Sequence, residues 1–264
     1  MAVISMLTDF GLKDGNVGVM KGVILSIAPT AQIIDISHTI NPQDVNEAAL
    51  VLLRSVPYFP QDTVHMVVVD PGVGTDRWPI AARLGTQYFV GPDNGVITML
   101  LEATEQRGFP TQFIHLNNPN YWLPEVSYVF HGRDIFAPAA AHLAAGVPLE
   151  KLGTDIPGPK RLKFPKPQKT EHGWRGEVIH IDHFGNISSN IRIEHLGQGK
   201  NLDVYIGGEH IEGLVQTFGE RSIGDLVALY GSTGNLIVSL VNGSAAEMLG
   251  TVVGDPVEVL VKGN

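Results

Sequence analysis

Asp70 and Arg77 stand seven residues apart on either side of Pro71-Gly72-Val73-Gly74-Thr75-Asp76. The run ahead of them, Thr63-Val64-His65-Met66-Val67-Val68-Val69, is β-branched and apolar, as expected of a buried strand near the middle of a sheet. Asp70 therefore marks the strand's carboxyl end, Pro71-Gly72 turns the chain, and Arg77 returns a fixed positive charge. Ligands of open α/β sheets collect beyond the carboxyl ends of strands, so this loop is the first place to look for chemistry. Similar polar groups recur at other expected strand ends: Asp9, Asp35 with His38, Asp93 with Asn94, and His131 with Arg133 and Asp134. Taken singly, each reads as a capping or turn residue. A parallel sheet brings all five groups to one edge, and together they supply carboxylates, imidazoles and guanidiniums for acid–base or electrostatic work. A later stretch, Ile181-Asp182-His183-Phe184-Gly185-Asn186, sets polar side chains around an aromatic and a glycine, and Tyr230-Gly231-Ser232-Thr233-Gly234-Asn235 and Asn242-Gly243-Ser244 add further polar turns.

The elements that must position these groups alternate along the first half. Ala2–Leu7 reads as a strand, and Asn16–Ala28 as a helix with Val17, Met20, Ile24 and Ile27 on one face, Asp14 or Asn16 as cap and Pro29 as stop. Gln32–Ile36 is a second strand, and Asp44 caps a helix running to Val56. The central strand 63–69, short strands at Pro79–Leu84 and Gln87–Val90, a helix from Gly95 to about Ala103, a strand at Val126–Phe130 and a helix from Ile135 to Ala145 complete the pattern. Strand–helix–strand order predicts an α/β domain over residues 1–155, a mainly parallel sheet flanked by helices. Residues 156–172 are rich in proline and lysine and read as a semi-rigid linker. Residues 173–264 show short alternating strands, glycine turns and one helical pattern at Ala245–Leu249, which predicts a smaller, mostly β barrel or sandwich ending near Lys262.

Composition narrows the function. A net charge of −9 over 264 residues argues against a nucleic-acid backbone as partner. The absence of cysteine excludes disulfides, thiolate metal sites and a cysteine nucleophile. No run is long and apolar enough to cross a bilayer, and Met1–Leu7 is too short for a signal-peptide core, so a cytoplasmic location is expected. Asp182 and His183 with His180, or Asp70 with His131, are conceivable metal ligands, but no His-Glu-x-x-His pair or comparable pattern accompanies them. Phosphate-binding glycine loops and a Gly-x-Ser-x-Gly elbow are also missing.

Five motifs, in order, carry a resemblance. Thr8-Asp9-Phe10-Gly11, Val69-Asp70-Pro71-Gly72-Val73-Gly74 with Arg77, Gly91-Pro92-Asp93-Asn94-Gly95, Phe130-His131-Gly132-Arg133-Asp134, and Ile181-Asp182-His183-Phe184-Gly185-Asn186 resemble the signature series of the S-adenosylmethionine hydroxide adenosyltransferases, relatives of the fluorinases and chlorinases. The resemblance spans nearly the whole chain. It implies hydrolysis of S-adenosylmethionine to adenosine and methionine by water or hydroxide attacking the ribose 5′ carbon, without metal or organic cofactor. It assigns catalysis to Asp70, Arg77 and His131, a set the halogenating relatives lack, usually carrying Tyr where Asp70 stands. Arg77 would stabilise the nucleophile electrostatically, His131 would accept its proton or hold hydroxide as a cation, and Asp70 would orient either partner.

By the same resemblance Asp9 would bind the ribose hydroxyls, Asp182 and Asn186 the amino and carboxylate ends of methionine with Ser232 nearby, and Phe184 would stack on adenine, whose edge the backbone around Asn242 would read. Core packing is the plainer account of Phe184. Relatives often carry Arg after the serine of the Ser-x-Gly turn, where this chain has Thr233. The family also implies a homotrimer with sites at subunit interfaces. Two other functions stay open: a halide-dependent adenosyl transferase, and a non-catalytic sensor of S-adenosylmethionine or adenosine.

Overall fold

The computed structural model describes residues 2–197 and 202–261; Met1, residues 198–201 and residues 262–264, among them the expected second-domain end at Lys262, lie outside the described residues. The chain divides into two compact units, Met1–Leu162 and Lys163–Asn264.

The first unit follows its hydrophobic pattern closely. Strands β1 (Val3–Thr8), β2 (Gln32–Ser37) and β3 (Val64–Val68) are joined by helices α1 (Asn16–Ile27) and α2 (Val45–Ser55). Next come β4 (Pro79–Leu84), β5 (Gln87–Pro92), α3 (Thr98–Gln106), β6 (Thr111–His115), α4 (Ala137–Ala144) and β7 (Thr154–Asp155). The sheet order is β2-β1-β3-β5-β4-β6-β7. β2, β1, β3 and β5 run parallel, while β4, β6 and β7 are added antiparallel, so the sheet is mixed. β3 is buried along its length, as its apolar run requires of a strand between β1 and β5. Successive side chains of β1 and β3 point to opposite faces. Ile4, Met6, Val64, Met66 and Val68 join the core that holds Met20 and Ile24 of α1 and the alanines of α4. Helices α2 and α3 pack together as a second pair.

Two local expectations fail for physical reasons. Asp14 and Asn16 do not cap α1: its N-cap is Gly15, without a side-chain bond, whereas Asp44 caps α2 by accepting from the Glu47 amide as expected. Val126–Phe130 is not a strand. The Ser127 amide is taken by the Asp134 carboxylate at 2.8 Å and the Phe130 amide by the Ser127 hydroxyl at 3.0 Å, so side chains satisfy the backbone locally, and Tyr128 and Val129 are left exposed. The strand in this part of the sheet is β6, paired with β4.

In the second unit β8 (Gln168–Lys169), β9 (Gly173–Ile181), β10 (Ile187–Arg192), the short helix α5 (Ile193–Leu196), β11 (Leu202–Ile206), β12 (Glu209–Glu212), β13 (Leu226–Tyr230), β14 (Asn235–Leu240), α6 (Ala245–Leu249) and β15 (Pro256–Val261) form an antiparallel system ordered β12-β11-β15-β9-β10-β14-β13, with β8 on β9. Its two ends meet: the Val215 amide, just past β12, donates to the Ala228 carbonyl of β13 at 3.0 Å. The sheet is nearly closed and barrel-like around Val178, Ile187, Val204, Leu236, Val238 and Val259. α6 matches its predicted span, while α5 is an addition. The proline-rich stretch is tied down rather than loose. The amides of Lys160 and Leu162 bond Asp93 and Thr98 in the first unit, and in the second the Pro165 carbonyl accepts from Asn190 and Gln168–Lys169 pair with β9.

Candidate functional site

Asp70 follows β3 at its carboxyl end, and the loop after it folds back so that Arg77 reaches it. The Arg77 Nε lies 2.9 and 3.0 Å from the two carboxylate oxygens, and Nη2 donates to Oδ2 as well. This is the planar, forked pairing that arginine geometry favours. Both side chains are almost fully buried. The guanidinium also lies over the ring of Phe136, 5.3 Å from its centroid.

Gly74 makes the loop's course possible. It has φ +76°, and a Cβ there would stand 2.5 Å from the Tyr128 carbonyl oxygen. The 70–77 loop therefore lies directly against the 127–130 turn, which leads into His131. Arg77 Nη2 donates to His131 Nδ1 at 2.9 Å. A π-helical turn over Gly132–Phe136 follows immediately, before α4. Burial, and then the Arg77 charge, lower the His131 pKa below its ordinary value, against opposing pulls from Asp70, Asp134 and the Ser127 carbonyl. An imidazole that accepts a guanidinium hydrogen at Nδ1 is neutral and carries its own proton on Nε2. The expected catalytic trio thus comes together as one hydrogen-bonded group. Within it, Arg77 Nη1 is buried and has no hydrogen-bond partner among the described residues.

The remaining polar groups of this edge divide. Asp9 follows β1 and accepts from the Gln43 amide at 2.8 Å, and Phe10 beside it packs edge-on against Phe130, with ring centroids 5.7 Å apart. Asp35 and His38 serve structure: Lys21 bonds Asp35 at 2.6 Å, and His38 bridges Asp35 at 3.1 Å and the Thr8 hydroxyl at 2.9 Å. Asp93 accepts from the Lys160 amide at 2.7 Å, and Asn94 donates to the Val69 carbonyl at 2.9 Å, fixing the residue ahead of Asp70. Asp134 is fully buried and held by Arg133 and the Ser127 amide.

In the second unit Asp182, Phe184 and Asn186 share one tight loop. Asp182 Oδ1 accepts the Phe184 and Asn186 amides, both at 2.9 Å, and Oδ2 accepts the Asn186 side-chain amide at 2.8 Å. Gly185, at φ +80°, has no room for a Cβ, which would stand 2.0 Å from the Ser244 hydroxyl, so the loop sits against Asn242-Gly243-Ser244. Asn242 itself has φ +59°. Phe184 is 74% exposed, so it is not a core residue. Ser232 stands on the separate β13–β14 turn, exposed and without a hydrogen bond to that loop among the described residues. Sequence reasoning missed Arg192. Its guanidinium lies against Gly234 of the same turn, reaches Asn235 Oδ1 at 3.5 Å and pairs with exposed Glu194. The signal is spatial: nothing in the sequence sets position 192 beside the turn at 231–234.

No group of three or more His, Asp or Glu side chains among the described residues is arranged to hold a metal ion. The carboxylates of the two sets considered as ligands are occupied, Asp70 by Arg77 and Asp182 by its own loop.

An α/β unit with a buried Asp–Arg pair joined to a half-buried His at the carboxyl edge of its sheet, continued by an antiparallel barrel-like unit, defines the class of the molecule. Models of the SAM hydroxide adenosyltransferase N-terminal and C-terminal domains match residues 4–153 and 176–258, and the chain belongs to that family. It is 39% identical to an (R)-S-adenosyl-L-methionine hydrolase of Salinispora tropica, covering 97% of each chain. It is 40% identical to the enzyme of that name from Thermus thermophilus, covering 98% of this chain and all of the other. Among solved structures, an uncharacterized conserved protein from Thermotoga maritima superposes with a TM-score of 0.89 at 39% identity, over 97% of this chain and 99% of that one. No helix among the described residues is long and apolar enough to cross a membrane.

Proposed function

We propose that the protein is an enzyme that hydrolyses S-adenosyl-L-methionine to adenosine and L-methionine. The observation that carries this reading is the unpartnered Nη1 of Arg77, a buried cationic donor whose other hydrogens are committed to Asp70 and His131. A buried donor without a partner is costly, and a bound water or hydroxide relieves it. Family membership and the hydrolase relatives support the choice of substrate.

In the proposed reaction the water oxygen bonds to the ribose 5′ carbon while the carbon–sulfur bond breaks. The bonding pair returns to sulfur, which leaves as the thioether of methionine, and one proton is released. Sulfur leaves readily from a sulfonium, so the protein mainly supplies alignment and partial desolvation. Arg77 holds the nucleophile and stabilises its hydroxide character, Asp70 fixes the guanidinium, and His131 fixes its other edge. His131 does not act as a cation, because its Nδ1 accepts from Arg77.

Asp9 binds the ribose hydroxyls, Phe184 stacks on adenine, and the backbone at Asn242 reads the adenine edge. Asn186 gives its side-chain N–H to Asp182, which leaves its carbonyl oxygen and the carboxylate as acceptors. That pairing suits the ammonium of methionine. Its carboxylate is assigned to Ser232 and Arg192. No metal or organic cofactor enters the proposal, the assembly is a homotrimer with each site drawn from two subunits, and the location is the cytoplasm.

The test is incubation of purified protein with the separate sulfonium epimers of S-adenosylmethionine in halide-free buffer. Equimolar adenosine and methionine from the (R) epimer are expected. Tight binding without product establishes the sensor instead, and product only on adding chloride or fluoride establishes a halide-dependent transferase.

A further inference from the structure

A concavity lies on the α2–α3 side of the first unit, at the amino-terminal end of β3. It has a volume of about 230 Å³ and is walled by α2, the turn after it, the β4–β5 hairpin and α3. Asp70 lies at the other end of β3. The five residue steps from His65 to Asp70 separate the two places by roughly 16 Å at the rise of an extended strand.

His65 belongs to this wall. It is 1% exposed, and its Nδ1 is bonded to the Ser5 hydroxyl at 2.7 Å, directly across the β1–β3 register. With the Ser5 hydroxyl donating to Nδ1, the imidazole proton sits on Nε2. Burial pushes the His65 pKa down to about 4, against the opposing hydrogen-bonding pull of Gln87, so the ring is neutral near pH 7. Gln87 gives its Nε2 hydrogens to the Phe59 and Pro60 carbonyls at 2.9 and 3.1 Å, and His65 Nε2 has no partner within hydrogen-bond distance among the described residues. A buried N–H left so is costly and marks a place where an acceptor is wanted. Nothing in the proposed hydrolysis uses this histidine.

The other walls specify what would bring that acceptor. Phe59 meets the His65 ring edge-on at 5.3 Å, and Tyr88 and Phe109 add aromatic surface. The exposed Arg107, at the end of α3, puts a guanidinium on the rim. Planar apolar walls, one inner hydrogen-bond donor and one cation at the mouth form the usual layout of a small-molecule site. The volume exceeds the roughly 150 Å³ that suffices for benzene.

We propose that this cavity is a binding site, separate from the Asp70 edge, for a small heteroaromatic carboxylate. The ring packs among Phe59, Tyr88 and Phe109, a ring acceptor takes the His65 Nε2 hydrogen, and the carboxylate pairs with Arg107. The site is independent of the catalytic reading.

Calorimetric titration of the full-length protein with nicotinate, pyridine-3-acetate and 3-(3-pyridyl)propionate tests it. At least one is expected to bind saturably at one per chain, with benzoate, which lacks the ring acceptor, about tenfold weaker. His65→Leu and Arg107→Ala are each expected to weaken binding about tenfold, and Ala103→Trp, which fills the cavity from α3, to abolish it. Circular dichroism and thermal melting establish that each variant is folded, and Arg107→Ala, at an exposed position, keeps the test open if a core variant is not. Binding by none of the three acids, or binding that survives in Arg107→Ala and in the folded cavity variants, overturns the proposal.

Discussion

Arg77 gives an Nη2 hydrogen to the Nδ1 of His131 across 2.9 Å while its Nε and Nη2 clasp Asp70, so the single guanidinium joins the ends of two distant loops. The geometry follows from the fork of the guanidinium, which a lysine ammonium cannot reproduce. Arg77→Lys is therefore expected to lower kcat/KM by on the order of 10²–10³-fold, the usual cost of losing a preorganised donor. Steady-state kinetics checks it, and near-normal turnover would remove Arg77 from the chemistry.

The neutral His131 makes a pH prediction. Its pKa is lowered by burial and by Arg77, so the form that accepts from Arg77 persists below the ordinary imidazole value. Protonation adds a hydrogen at Nδ1, breaks that bond and sets a second cation beside the guanidinium. The acid limb of kcat/KM is expected below about pH 6.5, the ordinary imidazole value, and to vanish from the residual activity of His131→Asn. An acid limb above that pH would contradict the assignment.

Arg192 is predicted to act on binding rather than on chemistry. Arg192→Ala should raise the KM for S-adenosylmethionine by about tenfold with kcat nearly unchanged, because the lost contact is made equally in ground and transition states. Arg192→Lys should restore part of it. An unchanged KM would place carboxylate recognition elsewhere.

Buried His65 predicts an acid-labile contribution to stability. Its folded pKa of about 4 lies below the unfolded value, so the unfolded chain takes up a proton first as pH falls. Stability from this residue is fully present above about pH 6.5 and declines towards pH 4, by about 2 kcal/mol at pH 5. Urea unfolding of wild type and His65→Leu at pH 7 and pH 5 checks the sign: the loss on acidification should be smaller in the variant.

Much of this was legible in the sequence, and the failures have physical causes. The run ending at Asp70 announced its strand because a central strand buries both faces, and the glycines after it announced a close approach, which Gly74 makes against Tyr128. Val126–Phe130 has similar apolar content, yet Asp134 and Ser127 claim its amides, and that competition depends on a fold not visible in a five-residue window. Asp93 and Asp35 looked equal to Asp70 as strand-end carboxylates. Only the fold tells that one receives the Lys160 amide and the other Lys21 and His38. Arg192 was illegible because its neighbour, Gly234, is distant along the chain and close only once β10 and β14 pair.

The bond from Val215 to Ala228 has a further consequence. A sheet whose first and last strands meet keeps few unpaired amides on its rim, so the second unit gives a neighbouring chain little to extend by strand addition. The sheet of the first unit has no such seam among the described residues. Its outermost long strand, β2, instead carries Asp35, paired with Lys21 of α1, beside exposed Ile34, a charge of the kind that discourages edge-to-edge aggregation.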